Sequence, residues 1–271
     1  MIADVKAYAG YLFDLDGTVY LGDKLLPGSH ELITTLRQQG RKTLFLTNNP
    51  TRNRQMYAQK LEKLGIPTST SHIVNTVVTM VAWLRREVPT ATVFVIGEEP
   101  LERAIREAGL RLSDNPEEID IVVASYDRGF DYQKLQIAFD ALWMHRRARL
   151  VTTNPDAYCP FPGGRGEPDA AAIVAAIEAC SGVKCEVNVG KPAPVMLQTA
   201  LDILDLPAAD CVMIGDRLST DIAMAVDAGM DSALVLTGEA TPEMVEALPP
   251  ERRPTWLLER IDDLLTPLPR S

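Results

Sequence analysis

Short apolar runs alternate with amphipathic stretches along the whole chain. The run Tyr11-Leu12-Phe13 predicts the end of a buried strand, and a polar turn follows a second buried strand at Thr43–Leu46. Between them, apolar residues at helical spacing precede Gly40, a residue that commonly ends a helix. The same pattern predicts further strands at Val93–Ile96, Ile121–Ala124, Leu150–Thr152, Val187–Val189, Val212–Ile214 and Ala233–Leu236. This alternation indicates βαβ units and an α/β fold with parallel sheets.

The segment Pro160-Phe161-Pro162-Gly163-Gly164 interrupts this pattern and predicts a long loop, because proline and glycine punctuate regular structure. The chain has 271 residues, a length that suits two domains at about 150 residues each.

Composition excludes several classes of function. Lys and Arg total 27 against 37 Asp and Glu, for a net charge of −10, which argues against binding to nucleic acid. No apolar run approaches transmembrane length, so no membrane partner is expected. The four cysteines form no CxxC pair, and reduced thiols in a cytoplasmic protein are the simplest interpretation. A phosphorylated substrate would be repelled by the overall charge and would need a local site of a cation, a lysine and backbone amides.

Two carboxylates follow the first predicted strand. Asp14 and Asp16 are two residues apart, so in extended geometry their side chains leave the same face. Such neighbours repel unless a divalent cation lies between them or one of them is protonated. Gly17 permits a sharp turn directly afterwards. A solvated strand end followed by a turn is the simpler alternative for this segment alone.

Three more polar groups follow predicted strands. They are Thr47 with Asn48, Lys191 before a proline, and Asp216 with an acid five residues later. Separately, these residues fit a helix cap, a surface lysine and a turn. Together they would bring several carboxylates, a lysine and a hydroxyl to one edge of a parallel sheet, where ligands bind in such folds. That combination predicts a bound group.

These segments resemble the four ordered motifs of the haloacid dehalogenase (HAD) superfamily. The motifs are Asp14-Leu15-Asp16-Gly17-Thr18, Thr47-Asn48, Gly190-Lys191-Pro192 and the segment from Gly215 to Asp221. The sequences of these motifs are similar to those of the NagD-like branch, which includes nucleotide, sugar-phosphate, phosphoglycolate and 4-nitrophenyl phosphatases. The segment Thr152-Thr153-Asn154-Pro155-Asp156 also resembles a sequence motif typical of that branch.

The resemblance implies a Rossmann-like parallel-sheet core with an inserted α/β cap domain. We assign residues 1–78 and 187–271 to the core and residues 79–186 to the cap, because the insert contains none of the four motifs. By analogy with the family, pairing as a homodimer is an open expectation.

The resemblance also implies a phosphatase mechanism. Asp14 would be the nucleophile that attacks phosphorus, and Asp16 the general acid that protonates the leaving alcohol and later activates water. Thr47, Asn48 and Lys191 would hold the phosphoryl oxygens.

The implied cofactor is Mg²⁺, a hard ion that prefers oxygen ligands. Asp14, the backbone carbonyl of Asp16, and Asp216 would bind it, with Asp221 supporting that set directly or through water. The substrate would be a small phosphate ester, with nucleoside monophosphates, sugar phosphates and phosphoglycolate left open and 4-nitrophenyl phosphate as a generic substrate.

Substrate choice is expected to reside in the cap, where Asn154, Asp156 and Asp127 are candidate contacts. The segment Glu167-Pro168-Asp169 departs from the small residues usual in the family, so a relative's substrate preference does not transfer directly.

Other functions remain open at this stage. A phosphomutase or a carbon–phosphorus hydrolase would need a different cap, and neither Lys134 nor Lys184 lies in a motif for an extra catalytic lysine. A response-regulator receiver also groups acids, a threonine and a lysine, but it is a single small domain. A catalytically silent or phospho-accepting binding protein on the same fold is the remaining alternative.

Overall fold

This computed structural model describes residues 8–161 and 163–265. The chain divides into two compact units. The first comprises the described residues of Met1–Thr47, Arg54–Val74 and Lys191–Ser271, and the second comprises those of Asn48–Asn53 and Asn75–Gly190. These limits lie a few residues outside the predicted cap limits of 79 and 186, and the segment after Thr47 groups with the second unit. The chain ends within the predicted core lie outside the described residues.

The strands are short and separated mostly by helices. They are β1 (Gly10–Asp14), β2 (Tyr20–Leu21), β3 (Lys24–Leu25), β4 (Lys42–Thr47), β5 (Ile73–Asn75), β6 (Thr92–Ile96), β7 (Arg111–Leu112), β8 (Ile121–Ala124), β9 (Arg149–Thr152), β10 (Tyr158–Phe161), β11 (Arg165–Pro168), β12 (Val187–Asn188), β13 (Cys211–Gly215), β14 (Asp231–Val235) and β15 (Trp256–Leu258).

The α-helices complete the α/β pattern. They are α1 (Ser29–Gln38), α2 (Arg54–Lys63), α3 (Thr76–Glu87), α4 (Glu99–Glu107), α5 (Tyr132–Phe139), α6 (Ala170–Ser181), α7 (Pro194–Leu204), α8 (Ala223–Asp227) and α9 (Pro242–Glu246). Within the described ranges, no helix has the length and apolar character needed to cross a membrane.

The first unit is built on a six-stranded sheet of order β15-β14-β13-β1-β4-β5. Strand β1 pairs in parallel with both β13 and β4, and Phe13 lies opposite Ile214 on one side and Phe45 on the other. Apolar clusters cover both faces of this sheet, which explains why the strands are continuous apolar runs rather than alternating ones. The polar residues at the ends of these central strands are therefore exceptions that need a reason.

The second unit has its own five-stranded sheet, of order β12-β9-β8-β6-β7, with parallel pairing. Its core joins Val122 and Leu150 of the sheet to Ala138 of α5 and to Ile173 and Ile177 of α6. An independent sheet and core in each unit confirm the predicted α/β class with an additional domain.

One predicted element is wrong. Residues 160–164 are not a long loop, because β10 and β11 form an antiparallel hairpin in which Phe161 pairs with Arg165. A two-stranded ribbon tolerates proline, since half of its backbone groups need no partner in the pair. Pro162 lies outside the described residues.

Candidate active site

The candidate site lies at the carboxyl ends of the central strands of the first unit. Asp14 ends β1 and lies opposite Leu46, so Thr47, the last residue of β4, comes one position further along the same edge. Asp216 directly follows β13, whose Ile214 is paired with Phe13. The parallel register thus carries these polar residues to one edge of the sheet, as the sequence predicts.

Lys191 connects two of the carboxylates. Its ammonium group donates to Oδ1 of Asp14 and, at 2.6 Å, to Oδ1 of Asp221. Lys191 is 2% exposed and Asp221 is fully buried, so both ion pairs are shielded from water. Hydrogen bonds between charged groups are the strong ones, and they fix these three side chains relative to one another.

The other carboxylate oxygens have partners as well. Asp216 accepts from the Thr18 hydroxyl at 3.3 Å and from the backbone N–H of Glu239 at 3.1 Å. The second oxygen of Asp221 accepts from the backbone N–H of Arg217 at 3.2 Å. These bonds orient the acids before any ligand binds.

Two glycines make room for the Asp216 carboxylate. Gly17 has φ +94°, in the left-handed region, and a Cβ built on it would overlap the Asp216 side chain. A Cβ on Gly238 would overlap the same carboxylate. The expected turn at Gly17 is therefore confirmed, and a second close approach at Gly238 accompanies it.

The site carries more negative than positive charge. Asp14, Asp216 and Asp221 have carboxylate oxygens within 4.8 Å of one another, and all three residues are buried. Burial raises the pKa of Asp14 well above its usual range; Lys191 opposes this effect, while Asp221 and Asp216 add to it. Burial and the neighbouring Asp221 also raise the pKa of Asp216, to about 6.

Lys191 remains a cation in this setting. Burial alone would lower its pKa, but attraction by Asp14 and Asp221 outweighs burial and raises the pKa above the usual range. Lys191 donates to two of the three acids, and the charge of Arg217 lowers the pKa of Asp216. Among the described residues, the acids of this cluster still outnumber these two cations. Oxygen donors with excess negative charge suit a hard divalent cation, so this donor set fits a metal site.

Asp16 differs from the other acids. It lies beyond the end of β1 and is exposed, and Tyr20 donates a hydrogen bond to its Oδ2 at 3.2 Å. Burial, together with the charge of Asp16, raises the pKa of Tyr20 well above its usual range, so the phenol keeps its proton and acts as donor. Among the described residues, the acids that form a cluster with Asp14 are Asp216 and Asp221. The grouping of the Asp14 and Asp16 side chains stays a prediction.

Thr47 and Asn48 fall on either side of the division between the units. Thr47 is buried at the end of β4 in the first unit. Asn48 groups with the second unit, where its side-chain amide donates to Asp156 at 3.0 Å.

The predicted substrate residues lie in the second unit, and two of them form a polar network. The Asn154 amide nitrogen donates to Asp156 at 2.9 Å and to Asp169 at 3.0 Å, and its oxygen accepts from Thr153 at 2.8 Å. Asn154 is fully buried. Asp127 is nearly buried and pairs with Lys134 at 2.6 Å.

Sequence reasoning assigned no role to several residues that contact the acids, among them Arg217 through its backbone N–H. Thr18 lies inside the first motif, Tyr20 lies four residues after Asp16, and Glu239 acts through its backbone. The tyrosine was detectable in principle, because a chain that turns at Gly17 brings nearby residues back toward Asp16. A backbone donor such as that of Glu239 leaves no signal in side-chain type.

Fold and site together place three carboxylates and a buried lysine at the edge of a parallel sheet, an arrangement that suits a class of enzymes that transfer phosphoryl groups. Residues 11–111 match the model of the haloacid dehalogenase-like hydrolases, and residues 188–264 match a second, HAD-hydrolase-like model. The chain belongs to the haloacid dehalogenase-like hydrolases.

Individual relatives narrow this assignment. The chain is 39% identical over 232 residues to the sugar-phosphatase AraL of Bacillus subtilis, covering 86% of this chain and 84% of that one. A 4-nitrophenylphosphatase structure from Thermotoga maritima superimposes with a TM-score of 0.88 and 31% identity, covering 96% and 97% of the two chains. NagD from E. coli K-12 gives a TM-score of 0.85 at 26% identity, covering 95% and 98%. These findings confirm the NagD-like resemblance and a phosphomonoester hydrolase activity.

Proposed function

We propose that this phosphatase hydrolyses a sugar phosphate with Mg²⁺, through a covalent phosphate on Asp14. The observation that carries the proposal is the buried Lys191 between Asp14 and Asp221, in a cluster of three carboxylates at the sheet edge. Buried acids whose pKa is raised, as for Asp14 and Asp216, are typical of functional sites. Such an excess of negative charge is expected where a cation is to be held beside a phosphoryl group.

In the first half-reaction an oxygen of the Asp14 carboxylate attacks phosphorus. The bond from phosphorus to the ester oxygen breaks, and Asp16 gives its proton to the departing alcohol. The exposed position of Asp16 supports this role, because an acid must reach the leaving group. Lys191 and Thr47, together with Asn48, are proposed to hold the phosphoryl oxygens as charge shifts during transfer.

In the second half-reaction the ionised Asp16 takes a proton from water. The water oxygen attacks the phosphorus of the aspartyl-phosphate, the bond between phosphorus and the Asp14 oxygen breaks, and inorganic phosphate leaves. Asp14 returns as a carboxylate and Asp16 as an acid, so both groups are ready for another cycle.

The proposed Mg²⁺ ligands are Asp14, the backbone carbonyl of Asp16, and Asp216, with Asp221 supporting them. When bound, the ion would offset negative charge on the phosphoryl group and on the acids. Hydrogen bonds to Asp216 from Thr18 and from the Glu239 backbone support this assignment, since partners of this kind orient ligands before the ion binds.

Sugar phosphate is the proposed substrate class because the relative from Bacillus subtilis is named as a sugar phosphatase. Contact of Asp127, Asn154 and Asp156 with that substrate stays a prediction. The free thiols of all four cysteines support the proposed cytoplasmic location, and a homodimer is proposed by family analogy alone.

Phosphate release from a panel of esters tests the proposal. The panel contains sugar phosphates, nucleoside monophosphates, phosphoglycolate and 4-nitrophenyl phosphate, each with Mg²⁺ and with chelator. We expect metal-dependent release that is fastest for a sugar phosphate and lost in Asp14→Asn. Exposed Asp210 offers the matched control, Asp210→Asn, which should keep full activity. Activity retained by Asp14→Asn would contradict the mechanism, and a preference for another ester would contradict the substrate class.

A further inference from the structure

We propose that Tyr20 is a positioning residue that orients the Asp16 carboxyl group for proton transfer. This inference rests on the proposed role of Asp16 as general acid and base. Its starting observation is the hydrogen bond from the Tyr20 hydroxyl to Oδ2 of Asp16, at 3.2 Å.

The backbone between the two residues is tied into a closed turn. The carbonyl of Leu15 accepts the N–H groups of Val19 at 2.9 Å and of Tyr20 at 3.1 Å. The N–H of Gly17 in turn donates to the carbonyl of Tyr20 at 2.8 Å. These bonds hold the start of β2 against the segment that carries Asp16. The distance between phenol and carboxylate is thus set by the backbone.

The tyrosine ring is anchored on its other sides. Tyr20 is fully buried, in the same apolar cluster as Tyr57 and Leu61 of α2. The ammonium group of Lys60, also on α2, lies 3.5 Å from the centre of the ring, where a cation is attracted to the aromatic face. A rigid phenol is therefore bonded to an exposed carboxylate, and the phenol restricts the carboxylate's movement.

This arrangement differentiates the two oxygens of Asp16. Oδ2 accepts the phenol hydrogen. We assign to Oδ1 the proton that is exchanged with the leaving alcohol and with water. An exposed carboxylate without this bond would rotate among several orientations, few of which point the acidic oxygen at the reaction. Holding one orientation in advance is a recognised source of rate enhancement.

Comparing esters with different leaving groups distinguishes a positioning role of Tyr20 from a general loss of structure in its variants. An alkoxide from a sugar phosphate needs a proton as the ester bond breaks, whereas 4-nitrophenolate is stable enough to leave without one. If Tyr20 positions the acid, Tyr20→Phe should slow the sugar ester much more than the aryl ester. The ratio of kcat/KM for the two esters reports only the steps up to alcohol release, so water activation in the second half-reaction does not affect it.

The experiment measures this sugar-to-aryl ratio in wild type, Tyr20→Phe, Asp16→Asn and Tyr11→Phe. Tyr11 is a buried tyrosine of β1 in the same apolar cluster, which makes it a matched control. We expect the ratio to fall on the order of tenfold in Tyr20→Phe, as for loss of one hydrogen bond to a charged group. It should fall further in Asp16→Asn and stay unchanged in Tyr11→Phe.

The outcomes separate the two hypotheses. An unchanged ratio in Tyr20→Phe, with a reduced ratio in Asp16→Asn, would overturn the positioning role and leave the proposed function intact. An unchanged ratio in Asp16→Asn would overturn the acid role itself. If Tyr20→Phe fails to fold, meta-fluorotyrosine at position 20 provides a second test, because it keeps the hydroxyl and should preserve the wild-type ratio. A tenfold fall there would contradict the inference.

Discussion

Each unit of this phosphatase contains a buried polar cluster, and these two clusters are built differently. In the first unit, the Lys191 ammonium group donates to Asp14 and Asp221, and Asp216 lies beside these two acids. In the second unit, the neutral amide of Asn154 lies at the centre and uses both hydrogens and its oxygen in bonds of 2.8 to 3.0 Å. Both clusters contain carboxylates. In the first, burial raises the pKa of Asp14 and of Asp216 beside a buried ammonium group. In the second, Asp156 and Asp169 accept from the neutral amide of Asn154.

The difference distinguishes buried polar groups that stabilise the fold from buried polar groups that are held for binding a ligand. A buried neutral group with all its hydrogen bonds made stabilises a fold modestly, and removing it leaves its partners unsatisfied. Burying like charges together costs free energy unless they bind a cation. The pKa of Asp14 is raised because burial and the neighbouring acids disfavour its charged form. We therefore expect changes in the first cluster to affect turnover most, and changes in the second to affect stability most.

Lys191→Met should have the largest effect, because it removes the cation that donates to both Asp14 and Asp221. We expect turnover to fall on the order of 10³-fold and the free energy of unfolding to fall by about 3 to 5 kcal/mol. Steady-state kinetics and urea unfolding measure the two effects. Lys184→Met is the matched control, since Lys184 is exposed and pairs only at the surface with Glu178, and it should resemble wild type. A fully active Lys191→Met would show that the buried ion pairs are structural.

Gly238→Ala should have an intermediate effect, because a Cβ at this position overlaps the Asp216 carboxylate. We expect the Mg²⁺ concentration for half-maximal activity to rise by about 10- to 100-fold, as when a ligand's supporting contacts are lost. Gly238→Val should raise it further, since a larger side chain displaces the carboxylate more. Identical metal dependence in both variants and wild type would mean that Asp216 does not hold the ion.

Asn154→Ala should have the smallest effect, and on stability rather than on the chemical step. It removes one donor from each of Asp169 and Asp156, which keep hydrogen bonds from the Ala170 backbone and from the Asn48 amide, at a cost of about 1 kcal/mol. Hydrogen exchange of the α6 amides in the native protein measures the loss within the second unit. The exposed amide of Asn115 supplies the control, and Asn115→Ala should change stability by no more than about 0.5 kcal/mol. If the α6 amides exchange at the same rate in Asn154→Ala and Asn115→Ala, the second cluster does not stabilise its unit, and the proposed difference between the two clusters is wrong.

Much of the fold and the acidic cluster could be predicted from sequence, for identifiable physical reasons. Buried parallel strands are continuous apolar runs, so the polar residues that end them stand out, as Asp14, Thr47 and Asp216 do. Parallel pairing then brings strand ends to one edge. The turn after Asp16 was also predictable, because Gly17 occupies a left-handed conformation that favours glycine.

The remainder depends on contacts that residue type does not encode. The hairpin of β10 and β11 was predicted to be a loop, because a segment rich in proline and glycine is not typical of paired strands. Asn48 groups with the second unit, and its amide is bonded to Asp156, which is 108 positions away along the chain. The hydrogen bond from Tyr20 to Asp16 arises only once the loop has closed.

The most direct test of the account is to look for the covalent phosphate on Asp14. Enzyme mixed with a labelled substrate and quenched in acid during turnover would be digested and analysed by mass spectrometry. We predict a phosphorylated peptide containing Asp14 that forms in wild type, disappears when substrate is exhausted, and is absent from Asp14→Asn. Turnover with no phosphorylated peptide, or with the phosphate on another residue, would contradict the assignment of Asp14 as nucleophile.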